Sequence, residues 1–202
     1  MRRILIFTVA LVLAACEHSD PKTPEGALAR IAPCIDSADP RCLYKWLDRD
    51  SRWSIQTIHK KLVEMRRLVE KSYPKDRRRI AYGALFEEAQ AANAAGMFDV
   101  YCRKRRCLDQ VARGFGAATK VTPKGNNTVI VETTRGHRFE MFWAEERWGI
   151  TPFRDELQNM KLRVFDSLKQ VEINAKDFNN QRRAGGLNGA EIGIKKESED
   201  GH

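Results

Sequence analysis

The sequence predicts an α+β fold: N-terminal helices, then a short antiparallel meander sheet, then one long C-terminal helix. Three observations carry this. Apolar residues recur at helical spacing between Thr23 and Ala112. From Ala117 to Thr151 the period drops to two, with turn residues at short intervals. From Asp155 to about Asn180 helical spacing returns. Helices followed by strands, rather than alternating with them, is the α+β order.

Each element has a local reason. Thr23-Pro24-Glu25 reads as a helix start: a capping hydroxyl, a proline at the first position and an acid near the positive end of the dipole. Asp39-Pro40 opens a second short helix, with Leu43, Tyr44, Trp46 and Leu47 facing inward. Trp53 to Tyr73 is the clearest helix, with Ile55, Ile58, Leu62, Met65 and Val69 on one side and lysines and arginines on the other. Pro74 stops it. A helix is expected from Asp76 to about Ala94, burying Ile80, Ala84, Phe86 and Ala91, until Gly96 breaks it. Another is expected from Met97 to Ala112, ended by Gly114 and Gly116.

The strands follow with turns at Pro123 to Asn127, Arg135-Gly136 and Glu145-Glu146. Loops this short require an antiparallel meander. Val129 and Val131 alternate with Ile130 and Glu132, which suggests burial on both faces. Leu157, Met160, Val164, Leu168, Val171, Ala175 and Phe178 then mark a narrow helical stripe, either packed on the other helices or projecting as a partner surface. Residues 181–202 are nearly devoid of aliphatic clusters and read as a disordered tail. No internal repeat is evident.

The N-terminus gives an address. Arg2 and Arg3 precede the twelve-residue run Ile4 to Ala15. As a helix that run is about 18 Å long, against ~30 Å of bilayer hydrocarbon. It is short for a span and suits a signal-peptide h-region. It ends Leu13-Ala14-Ala15-Cys16, which resembles the lipobox of bacterial lipoproteins. The resemblance implies cleavage before Cys16 and palmitate-type lipidation there. It also implies membrane attachment in the bacterial cell envelope, with Glu17 rather than Asp favouring the outer membrane over the inner. The organisation is then a leader at 1–15, a tether at 16–22, an α+β domain at 23–153, a long helix at 154–180 and the tail.

Composition supports a folded, basic domain. The formal net charge is +9 and 31% of residues are charged, which excludes a multi-span membrane protein. Outside the cytoplasm cysteines oxidise. Cys34 and Cys42 flank a turn and bridge easily. Cys102 and Cys107 would lie about 9 Å apart on one ideal helix, and a disulfide needs less than ~7 Å. Their bond is expected only if Arg103 to Arg106 leave helical geometry. A zinc site is the alternative, but these spacings are not its usual ones, and no metal or cofactor is expected.

The order of elements, with Thr23-Pro24-Glu25, Tyr44-Lys45-Trp46-Leu47-Asp48, Ser51-Arg52 and Arg147-Trp148-Gly149-Ile150, resembles the NTF2-like cone fold. Asp50 to Ser54 and Trp148 to Phe153 further resemble uncharacterised lipoproteins of myxobacteria-like proteobacteria. The resemblance implies a fold and an address but no agreed activity. No nucleophile triad, zinc-protease, Walker or dinucleotide spacing occurs. His59, His137, Arg138 and Glu140 are the candidates for a polar pair inside a cone, and the two histidines read more simply as ordinary surface or satisfied side chains. Two basic runs, Arg77-Arg78-Arg79 and Arg103-Lys104-Arg105-Arg106, are the candidate site for anionic headgroups or an anionic envelope polymer. Nucleic acid is not an expected partner of an exported chain. Three classes stay open: a non-enzymatic binding or scaffold domain, a small-molecule pocket or enzyme, and a protein-interaction module using the C-terminal helix.

Overall fold

Gly26 N–H donates to the Thr23 hydroxyl (3.1 Å), and Pro24 occupies the first turn, so α1 (Pro24–Asp36) begins where the sequence places it. The structure is a computed structural model that describes residues 20–194, with side chains through residue 184. Cys16, the leader and residues 195–202 lie outside the described residues. Asp39 caps α2 (Pro40–Trp46), and Asp48 caps α3 (Arg49–Ser72). Ile55, Ile58, Leu62, Met65 and Val69 of α3 are fully buried.

The stretch after α3 is not one helix. It comprises a 3-10 turn (Lys75–Arg77), α4 (Arg78–Tyr82), a second 3-10 turn (Gly83–Leu85) and α5 (Phe86–Ala89). Gly83 sits at φ +52° and ends α4, a conformation that suits glycine. Ile80, expected in the core, is 70% exposed. Asn93 rather than Gly96 sets the next boundary: its side chain accepts the Gly96 N–H (2.8 Å) and starts α6 (Ala94–Arg105). Arg106 then adopts a left-handed conformation (φ +55°) and splits the expected single helix into α6 and α7 (Cys107–Gly114).

Four strands follow in chain order: β1 (Ala118–Gly125), β2 (Thr128–Thr133), β3 (Arg138–Ala144) and β4 (Arg147–Ile150). All pairs are antiparallel. β1 runs through Pro123, which an edge strand tolerates, so the first turn narrows to Asn126-Asn127. Val129, Val131, Thr133, Phe139 and Met141 are buried on one face, while Ile130 and Glu132 are only half-buried. The sheet is therefore covered on one side, not on both.

The last helix, α8 (Arg154–Ile194), runs past the expected end at Asn180, so residues 181–194 are helical rather than disordered. Its stripe from Leu157 to Ala175 is buried, and Phe178 packs edge-on against Tyr73 at 4.9 Å between ring centres. The stripe is spent inside the fold. Arg154 meets Asp48 at the start of α3, and Asn179 donates to Ser72 at its end. The two helices therefore run parallel and side by side. Among the described residues no helix is long and apolar enough to cross a membrane.

The junction at Asp48 is the tightest point. Its side chain is buried and accepts from the Asp50 N–H (3.0 Å), the Ser51 N–H (3.3 Å), the Ser51 hydroxyl and Arg154 Nη2 (2.9 Å). Its own N–H donates to the Ile150 carbonyl (3.0 Å). A Cβ on Gly149 would lie 2.7 Å from Asp48 Cα, so only glycine permits this approach. Removing one partner of a buried pair costs about 3–5 kcal/mol and a cap about 1 kcal/mol, with the pair's share reduced here because Arg154 is partly open. Asp48→Ala is therefore expected to lose about 3 kcal/mol in urea unfolding at unchanged m-value. Gly149→Ala is expected to lose a comparable amount through the clash alone. Losses under about 1 kcal/mol for both would contradict the junction's role.

Candidate functional site

Because residues 75–89 fold as short broken turns, they do not fill the space between α3, α6 and α8. A groove of about 660 Å³ is left. Its floor is apolar and aromatic, with Tyr73, Tyr82, Met160, Val171 and Phe178. Its mouth carries Arg77, Lys104, Arg105 and Arg163, and the one carboxylate of the lining, Glu88, is buried behind Lys104.

The two sequence-predicted basic runs thus meet, but not residue for residue. Arg77, Lys104 and Arg105 line the groove. Arg78 donates to the carbonyls of Tyr73 (3.2 Å) and Glu70 (2.8 Å), which closes the end of α3. Arg79 lies over the Phe86 ring at 5.1 Å. Arg103 pairs with Asp99 (2.7 Å) and Arg106 with Asp109 (2.7 Å). These four cations serve the fold. Arg163 was missed by reading runs, because it is an isolated charge on α8 that only packing brings beside Arg105.

The groove's polar groups differ in state. Lys104 is held by Glu88 (2.9 Å) and Glu87 (3.1 Å). Burial works against its ammonium, but those carboxylates outweigh it and raise its pKa. Burial, and then the carboxylate of Glu156, push the Tyr101 phenol up, so it stays protonated and donates to Glu156 (3.0 Å). Tyr73 is likewise raised by burial and donates to the Val171 carbonyl (3.1 Å). Among the described residues, neither Arg105 nor Arg163 is in an ion pair.

The histidine and carboxylate candidates fall elsewhere. His59 Nε2 is bonded to the Ala91 carbonyl at 3.2 Å and ties α3 to the loop before α6. His137, Arg138 and Glu140 border a smaller cavity of about 420 Å³, beyond the end of β4. They do not point inward as expected. His137 and Arg138 are exposed, Arg138 pairs with Glu132 (3.4 Å), and Glu140 is taken by Lys124 (3.1 Å). His137 leans on Phe139, 4.9 Å between ring centres. Among the described residues no group of three or more His, Cys, Asp and Glu converges as metal ligands would.

Cys34 and Cys42 form a disulfide with Cα atoms 5.2 Å apart. The expected Cys102–Cys107 bond is not formed: both are buried free thiols. Only Arg106 departs from helical geometry, which brings the two sulfurs into hydrogen-bond contact without joining them. The Cys102 thiol beside it, and then burial, push the Cys107 thiol well above its ordinary range.

Compared with family models, curated proteins and solved structures, the chain has no match.

The thiols give a direct check. In the folded protein at pH 8, maleimide should label neither Cys102 nor Cys107, because both are shielded and protonated. In urea without reductant both should label, while the peptides of Cys34 and Cys42 stay linked. Labelling that needs a reductant as well as urea would show the second pair bonded.

Proposed function

We propose that the chain is a lipid-anchored protein of the bacterial cell envelope whose domain binds anionic groups beside the membrane through the mouth of the groove. It acts as a binding domain rather than a catalyst, and the outer membrane is its expected address. The anchor reading is supported by Arg2-Arg3, the apolar run and Leu13-Ala14-Ala15-Cys16. Several acyl chains at ~0.8 kcal/mol per buried CH₂ are ample for durable attachment. The binding reading rests on one observation: residues from two separate basic runs, Arg77 with Lys104 and Arg105, converge with Arg163 on a single groove. Two of these, Arg105 and Arg163, hold no ion pair among the described residues and can meet an anion without first giving up a carboxylate, whereas Lys104 and Arg77 already have acidic partners.

Metabolic labelling with an alkynyl fatty acid should tag the wild-type protein. Cys16→Ser should abolish the tag and release the protein from membranes. Persistent labelling of that variant would remove the anchor from the proposal.

Binding to anionic vesicles should weaken as salt rises from ~0.05 to ~0.5 M, where screening shortens to a few Å. Each cation near such a surface contributes about 1 kcal/mol. Arg77→Gln, Arg105→Gln and Arg163→Gln together should therefore weaken binding on the order of a hundredfold. Arg78→Gln with Arg103→Gln should cost stability more than binding. The reverse pattern would place the binding surface elsewhere.

A further inference from the structure

We infer that the groove takes a free long-chain fatty acid, its single chain along the floor and its carboxylate on Arg105 and Arg163. This rests on the reading of the groove mouth as the anion-binding surface, and adds what lies behind the charge. A volume of about 660 Å³ lies within the roughly 300–1,000 Å³ of small-molecule pockets.

The floor's chemistry selects the ligand. Most of its polar side chains are already committed within the protein, Ser167 being the exception. The Tyr73 hydroxyl goes to Val171, that of Tyr101 to Glu156, and Glu88 to Lys104. Gln170 donates to Asn174 (3.0 Å). A sugar or nucleotide body would therefore lose its water and find few free partners, at a cost of several hydrogen bonds. A hydrocarbon chain loses nothing there.

Of the four cations at the mouth, Lys104 is paired with Glu87 and Glu88 and Arg77 with Asp76, which leaves Arg105 and Arg163 without an ion pair among the described residues. Ile80 stands at the same rim, 70% exposed, beside Arg77 and Arg79. An apolar side chain kept in solvent among cations matches a ligand that is apolar along its length and anionic at one end.

The test uses the full chain reconstituted in phosphatidylcholine vesicles, with a diazirine-bearing palmitate as photoprobe and peptide mapping of the adducts. Adducts should fall on peptides carrying Tyr82, Met160 or Val171, and excess palmitate should compete better than hexadecanol. Arg105→Gln with Arg163→Gln, both exposed positions, should cut labelling at least fivefold. Ser167→Trp, which fills the groove from a half-buried position, should do the same. Circular dichroism of each variant should match the wild type.

Labelling spread over the sheet, or unchanged in both variants, overturns the inference. Equal labelling by a diazirine phosphatidylcholine also overturns it, by assigning the groove to bilayer lipid. Anionic-vesicle binding on the same preparations separates the two ideas. Vesicle binding retained without palmitate adducts sinks the acyl site alone. Palmitate adducts without salt-sensitive vesicle binding sink the surface docking and leave the groove.

Discussion

Asp48 is a carboxylate with almost no solvent contact, and three parts of the chain converge on it. Its side-chain oxygens take the first free N–H groups of α3 and one arm of the Arg154 guanidinium, while its backbone N–H extends the end of β4. A buried carboxylate is costly unless it is paired and hydrogen-bonded, and here three donors meet Oδ2 while the Ser51 hydroxyl meets Oδ1. The geometry is demanding on the other side too. Gly149 lets the β4 backbone come within reach, and Arg154 lies over the Phe142 ring at 5.6 Å. Arg154 Nε is left buried without a partner, a cost that the rest of the junction outweighs.

That junction fixes the direction of α8, and direction decides what the far end looks like. Because α3 and α8 start at the same point and run parallel, their C-terminal ends lie together, about 24 residues on. Asn179 and Arg182 reach Ser72 there, and the Tyr73 hydroxyl reaches Val171. These bonds hold the continuation of α8 beyond Asn180. The residue pattern there is polar, so it gave no helical signal on its own. The groove opens beside this second meeting point, walled by helices pinned at both ends and closed by the short helical turns of residues 75–89.

Much of the fold was legible from local chemistry. The caps at Thr23 and Asp39, the α3 face and the α8 stripe all follow from periodicity and capping, which are one-dimensional signals. The Asp48 cap is not among them, because the pattern places the start of α3 only at Trp53 and the helix begins at Arg49. The strand order was legible because short turns leave a meander no other choice. The breaks at Gly83 and Arg106 were not. A glycine in a helical pattern reads equally as a tolerated residue or a stop, and nothing in the sequence marks Arg106 as left-handed. For the site, charge runs pointed to the right neighbourhood, but a run does not say which members are spent. Arg103 and Arg106 were absorbed by acids four and three residues away, and Arg78 by carbonyls at the turn after α3 that only the folded chain presents. Arg163, alone in its segment, carried no signal at all.

The two illegible breaks are also what make the site. Had residues 76–94 formed one helix, its apolar side would have packed toward Met160 and Val171, with Ile80 inside. Instead Gly83 turns the chain at a positive φ, and Ile80 is left at the groove rim. Had α6 and α7 been continuous, Arg105 would have followed a straight helix rather than standing at a C-terminus. A left-handed non-glycine residue costs about 1–2 kcal/mol, so the Arg106 bend needs support. The buried Cys107 immediately after it, in contact with Cys102, and the Arg106–Asp109 pair supply that support. The break in turn leaves Arg105 in the last turn of α6, where the negative end of the helix dipole favours a cation. Local sequence preference and global fold disagree at these two points, the kind of conflict that folded chains concentrate at functional or strained sites.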